Sequence, residues 1–177
     1  MQTVELLVSL KIPDVTALTA ASSIRRRLGY DEVLKELRRS DYYSLDLDTT
    51  DPQTADRLAR ELAEKTNLFV NPNKHSYEVR SPQQHTGGPS QQEGLWRVEV
   101  LVTDAEGAEA DDIQQALTQR LGYSEQVASV RRGILWTLLL AADDADHAQQ
   151  IAEQITVTTA RDQGVLVNPH FQVWEII

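Results

Sequence analysis

Val4-Glu5-Leu6-Leu7-Val8 returns as Val98-Glu99-Val100-Leu101-Val102, and that return decides how the chain divides. Arg27-Leu28-Gly29-Tyr30 returns as Arg120-Leu121-Gly122-Tyr123, Leu37-Arg38-Arg39 as Val130-Arg131-Arg132, and Val70-Asn71-Pro72 as Val167-Asn168-Pro169. The offset is about 93–94 positions through the first blocks and about 97 at the last, far beyond a solenoid period. The chain therefore reads as a duplicated domain, with one repeat over 1–80, a linker over 81–94 and a second repeat over 95–177. Linking two copies of a small fold internalises a homodimer, the commonest oligomer, so a pseudo-dimer is the expected form.

Each repeat carries the same string of patterns. Val4, Leu6, Val8 and Leu10 alternate with polar residues as a strand does, and Ala17, Ala20, Ala21, Ile24 and Leu28 form one helical stripe closed by Gly29. Leu34 and Leu37 begin a second strand whose odd spacing points to a bulge. Tyr43, Leu45 and Leu47 mark a third strand. Asp51-Pro52 is a helix cap followed by proline at the first helical position, and Ala55, Leu58, Ala59 and Leu62 give that helix its apolar side. Tyr77 and Val79 close the unit. The second repeat follows with Val98/Val100/Val102, Ile113/Leu117/Leu121, Val127/Val130, Trp136/Leu138/Leu140, Ala148/Ile151/Ile155 and Trp174/Ile176. The order β-α-β-β-α-β predicts an α+β fold of two ferredoxin-like units, each an antiparallel sheet with both helices on one face. Ser81 to Gly94 is polar, contains Pro and Gly and lacks periodicity, so it reads as a flexible linker.

Composition narrows the function. The 177 residues include no cysteine, which excludes disulfides, thiolate metal sites and a cysteine nucleophile. A net charge of −10 argues against nucleic acid as a partner and suits docking on a basic protein surface. No apolar run spans a membrane, and the first strand pattern begins so near Met1 that no signal peptide fits, so the expectation is a cytoplasmic protein.

The positions facing away from the helices differ between repeats. In the first they include Glu5, Leu7, Ser9, Tyr42, Ser44, Asp46, Ser76 and Glu78, a face expected to be largely wettable. The second carries Leu101, Leu135, Leu139, Val173 and Ile177, drawn from three strands. Aliphatic side chains clustered in this way exceed what a soluble monomer usually exposes. They are expected to be buried, within the pseudo-dimer or against another chain.

No catalytic constellation is legible. There is no phosphate loop, no Gly-x-Ser-x-Gly elbow and no His-Glu-x-x-His, and His75, His85, His147 and His170 have no metal-site spacing. Asp46, Asp48 and Asp51 divide between a strand face and a helix cap. Asp104, Glu106, Glu109, Asp111 and Asp112 complement the dipole at a helix start. Arg25, Arg26, Arg27, Lys35, Arg38 and Arg39 form the one basic cluster, read as a solvated face or a contact for an acidic partner patch. Tyr42 and Tyr43 are adjacent and point to opposite faces, so the sheet lacks the paired aromatics of RNA-recognition folds. No cofactor and no metal are expected.

The shared blocks resemble the PurS family, the small subunit of phosphoribosylformylglycinamidine (FGAM) synthase. Leu28-Gly29-Tyr30 and Leu121-Gly122-Tyr123 match its Leu-Gly-Tyr helix end. Val127-Ala128-Ser129-Val130-Arg131-Arg132-Gly133 matches its Val-x-x-Val-Arg-x-Gly, which Leu34, Leu37 and Arg38 follow more loosely, with Ser40 at the glycine. Asn71-Pro72 and Asn168-Pro169 stand at its Asn-Pro. The family's Asp-Pro-Gln-Gly is replaced by Lys11-Ile12-Pro13-Asp14 and Asp104-Ala105-Glu106-Gly107, and the Asp-Tyr after Asn-Pro by Ser76-Tyr77 and Val173-Trp174. The resemblance implies a non-catalytic subunit of an ATP-dependent carbon–nitrogen ligase of purine biosynthesis. Such a subunit pairs with itself, here to a possible pseudo-tetramer, and bridges glutaminase and synthetase subunits. Two other functions compete. One is an ACT-like amino-acid sensor, for which Ile12-Pro13-Asp14-Val15 is a distant match lacking the glycine that lets backbone approach a ligand. The other is a diverged duplicate without partners.

Overall fold

The computed structural model describes residues 1–85, 87–104, 108–157, 165–168 and 170–177. The strands are β1 (Gln2–Leu10), β2 (Leu34–Leu47), β3 (His75–Arg80), β4 (Ser90–Gln92), β5 (Leu95–Asp104), β6 (Val127–Leu140) and β7 (Gln172–Ile176). The helices are α1 (Val15–Leu28), α2 (Pro52–Lys65), α3 (Ala108–Gln115, continued by a π turn Ala116–Arg120) and α4 (Ala145–Thr156). The fold is α+β and ferredoxin-like.

Local chemistry sets the helix ends where the sequence puts them. Asp14 accepts from the N–H groups of Thr16 and Ala17 at 2.8 and 3.2 Å, and Asp51 caps α2 from just before Pro52. Such caps are each worth about 1 kcal/mol. Gly29 and Gly122 have φ of +78° and +79°, the left-handed region that a Cβ disfavours, so the glycine of each Leu-Gly-Tyr turns the chain out of its helix.

The strand pattern departs from expectation at one place in each repeat. Leu34/Leu37 and Tyr43/Leu45/Leu47 read as a second and a third strand, but they lie on the single fourteen-residue strand β2, and the matching residues of the second repeat lie on β6. The physical reason is the connection. Arg38-Arg39-Ser40-Asp41 lacks the glycine-containing pair, such as Asn-Gly or Asp-Gly, that a two-residue hairpin favours. A strand that cannot turn runs on, and the segment before it must find its sheet elsewhere, which is the route to exchanged elements.

That exchange defines the two compact units. The first comprises Met1–Ile12, Ser40–Gln84 and Glu106–Gly133; the second comprises Pro13–Arg39, His85–Ala105 and Ile134–Ile177. Neither coincides with a sequence repeat. In the first unit the strand order is β3-β1-β2-β6, using the second half of β2 and the first half of β6. β1 is antiparallel to β2 with Glu5 opposite Ser44, and to β3 with Glu5 opposite Arg80. The Asp48 N–H donates to the Gln126 carbonyl at 2.9 Å beyond the end of β2. One core joins Val4, Leu6, Val8, Tyr43, Leu45 and Leu47 to Ala55, Ala59 and Leu62 of α2 and to Leu117, Val127 and Val130 of the second repeat.

The second unit is built the same way from the other pieces. The first half of β2 lies beside the second half of β6, with the Ala141 N–H on the Val33 carbonyl at 2.9 Å, and β6 is antiparallel to β5 with Val100 opposite Trp136. The other edge of β5 takes β4 against Leu95–Arg97 and β7 against Val100–Asp104. Its core joins Ala17, Ala21 and Ile24 of α1 and Leu34 and Leu37 to Val98, Val100, Val102, Trp136, Leu138 and Ile151. Thus α1 of the first repeat joins α4 on the core of β5 and β6, and the α3 segment of the second repeat joins α2 on the core of β1 and β2. The span read as a flexible linker also differs from that reading, since Pro82–Gln84 is a 3₁₀ turn and Ser90–Gln92 is a paired strand.

Candidate functional site

Alternation along the strands sends one set of side chains into the two helix-covered cores and the other to the helix-free faces. In the first unit Glu5 is the hub of that second set. Its carboxylate accepts from the Tyr42 hydroxyl at 2.6 Å and from Arg80 Nε at 2.8 Å, and Glu5 is only 1% exposed. The Arg131 guanidinium donates to Ser44 Oγ at 3.2 Å. Asp46 accepts from Thr3 Oγ1 at 2.6 Å and Ser129 Oγ at 2.5 Å. Of the face expected to be wettable, Glu5, Leu7, Tyr42 and Ser44 are buried, Ser9 and Asp46 are half-buried, and Ser76 and Glu78 are exposed, so its centre is polar without being wet while its edge faces water. The physical reason is that pairing satisfies the charge and hydroxyls, which lets them leave water.

Burial and the hydrogen bond to the Glu5 carboxylate push the Tyr42 hydroxyl well above the ordinary phenol range. Burial works the other way on Asp46, but the hydrogen bonds from Ser129 and Thr3 and the nearby Arg131 charge outweigh it, holding that carboxyl below its usual range. This arrangement orders side chains; it does not aim a nucleophile or a base at open space.

On the second unit's helix-free face Leu101 lies opposite Leu135, Arg97 opposite Leu139, and Glu99 opposite Thr137. Glu99 accepts from Arg97 at 2.6 Å and more distantly from Thr137 at 3.5 Å, and its own carbonyl receives the Ile177 N–H at 3.1 Å. Leu101, Leu135, Leu139 and Ile177 are buried, yet none belongs to the helix-covered core. Val173 is different: it is 56% exposed near the outer end of β7. Four of the five candidate interface residues are therefore buried together, and the fifth faces solvent.

Several residues of the resembling motifs serve turns and helix docking. Tyr30 packs on the second unit's core and its hydroxyl donates to Gln154 at 2.7 Å; Tyr123 bonds Glu61 in the first unit at 3.4 Å. In each case a tyrosine from one repeat holds a helix of the other. Leu28 is half-buried on the same core as Tyr30, whereas Leu121 is exposed. Asn71 Oδ1 accepts from the Asn73 N–H, and Asn168 Oδ1 from the His170 N–H, so both asparagines form side-chain turns into the last strands. The Pro72 carbonyl accepts from Lys11, Gly133 is half-buried in β6, and Pro169 lies outside the described residues, as do Ala105, Glu106 and Gly107.

The basic cluster is largely accounted for. Arg25 donates to the carbonyls of Leu34 and Lys35, Arg38 pairs with Glu36, and Arg39 with Asp14, leaving Arg26 and Arg27 exposed on α1. His75 Nδ1 accepts from the Asn71 N–H, and His147 sits beside Asp143. Among the described residues no group of three or more His, Asp or Glu could hold a metal ion. Sequence reasoning missed the Glu5 hub. Its signal was the acid kept at the same strand position in both repeats, Glu5 and Glu99, flanked by apolar residues on either side.

Residues 3–83 match the family model described as PurS, phosphoribosylformylglycinamidine (FGAM) synthase. No curated protein matches the chain. The matched span runs from β1 through β3 into the 3₁₀ turn, taking in the Leu28-Gly29-Tyr30 and Asn71-Pro72 turns together with Glu5, Tyr42 and Arg80. Over this span the chain is similar to the PurS family.

Proposed function

We propose that the chain is a non-catalytic assembly subunit of FGAM synthase in purine biosynthesis, bridging its glutaminase and ATP-dependent synthetase subunits. The observation that carries this reading is the family match over residues 3–83. The site geometry agrees with it, because the ordered polar groups of the helix-free face are spent on one another and several motif residues serve turns and helix docking. A bridging subunit works by mass action: holding two partners together raises the effective concentration of one for the other. The chain supplies this as a tandem PurS-like protein, a pseudo-dimer within one polypeptide that acts in the cytoplasm, with self-association to a pseudo-tetramer as a further level. No helix among the described residues is long and apolar enough to cross a membrane.

Reconstitution tests the proposal. Glutamine-dependent FGAM formation by the synthetase and glutaminase chains is expected to require this protein, whereas ammonia-dependent formation by the synthetase alone is not. Equal glutamine-dependent rates with and without the chain would remove the bridging role.

A further inference from the structure

The exchanged helices differ in size at one aligned core position, and the difference follows the cores they enter. α1 presents Ala17, Ala20 and Ala21 to the second unit's core, with Ile24 as its one large fully buried side chain. That same core holds or is flanked by Trp96, Trp136 and Trp174, which are all three tryptophans of the chain. The helix from the second repeat presents Ile113 and Leu117 to the first unit's core, where the aromatics are the smaller Tyr43, Tyr77 and Phe69. At aligned positions, Ala20 corresponds to Ile113, and Tyr43 and Tyr77 correspond to Trp136 and Trp174. At the Ala20/Ile113 position a small helix residue meets large sheet residues in one unit and a larger one meets smaller residues in the other, whereas Ile24 and Leu117 are equivalent.

From this complementarity we infer that the two halves of the chain are a matched pair, able to stand as separate polypeptides that associate with each other in preference to themselves. Self-pairing of the first half would place Ala20 where the Tyr43 core has Ile113, leaving a void. Self-pairing of the second half would drive Ile113 toward Trp136 and overpack that core. Both errors destabilise a close-packed interior. Selectivity here is a difference between two pairings, set by what each excludes as much as by what it fits. The covalent connection then serves to raise local concentration and is not needed to specify the partner.

The connection offers a place to cut. The segment around Gly87 and Gly88 lies between the 3₁₀ turn on the first unit and β4 on the second, and a side chain at either glycine would meet nothing within 4 Å. A protease site inserted between Gly87 and Gly88 of the full-length chain allows cleavage after folding. The cut protein is expected to elute from gel filtration unchanged from the uncut chain. After unfolding in urea and dilution, native mass spectrometry should find at least about nine in ten complexes to be one-to-one pairs of the two halves, against about half for indiscriminate pairing. Ala20→Ile, which makes α1 resemble its counterpart, should lower that fraction while Thr19→Ile on the exposed side of α1 leaves it unchanged. Halves that separate on cutting, that fail to reassemble, or that pair at random would overturn the inference.

Discussion

The two helix-free faces carry the same acid in different company. Glu5 is neutralised by buried Arg80 and by Tyr42, whereas at the aligned positions the second unit has Ile177 and Leu135, and Glu99 relies on the partly exposed Arg97. The centre of one face is a charge network and that of the other is aliphatic packing, yet both centres are buried. Burial is thus not a property of residue type. A carboxylate leaves water readily when its partners come with it, and a leucine does so because it has no partners to lose.

Substitutions that interchange the two solutions should break them in order of size. Leu135→Asp places a carboxylate opposite Leu101 in an aliphatic contact and is expected to cost about 4 kcal/mol or more, read as a shift in the urea midpoint. Val173→Asp on the same face, where the side chain is exposed, should stay within about 0.5 kcal/mol. Equal effects would mean that burial does not distinguish these positions.

Removing the cation separates the faces themselves. Arg80→Leu strands the Glu5 carboxylate in the interior and should cost about 3 kcal/mol. Arg97→Leu withdraws a partly solvated partner from Glu99 and should cost less than about 1 kcal/mol. Chemical unfolding of both variants at neutral pH checks the contrast, and a larger loss for Arg97→Leu would invert it.

A last contrast lies in the pH dependence. Because Tyr42 titrates higher in the folded chain than its unfolded value near about 10, its contribution is fully present below that pH and is lost as pH rises toward the folded value. Tyr42→Phe, which also removes a hydrogen bond to a charged acceptor worth about 1.5 kcal/mol or more, should flatten this alkaline limb. An alkaline unfolding curve of unchanged slope in the variant would place the transition on other groups.

Much of the local structure was legible from residues alone. The alternations in β1 and β5, the apolar stripes of α1, α2 and α4, the aspartate caps and the glycine turns lie where the patterns put them, since each depends on neighbours within a few positions. The PurS resemblance was legible for the same reason, being carried by short ordered blocks. The candidate site was legible only in part. Leu101, Leu135, Leu139 and Ile177 were recognisable as a face needing cover, while Val173 shares their alternation but lies exposed, and the Glu5 network required knowing that β3 brings Arg80 opposite β1.

By itself the sequence determined the element types and which side of each strand is apolar, because period and composition are local properties of the chain. Only the tertiary structure decided that Leu34–Leu47 and Val127–Leu140 each run on as one strand, and that α3 joins α2 in the first unit and α1 joins α4 in the second. A strand's alternation reads the same whether the next residues turn back or continue, and α1 and α3 present stripes that could cover either sheet. The choice rests on which pairing fills each core, a free-energy difference spread over residues far apart in the chain.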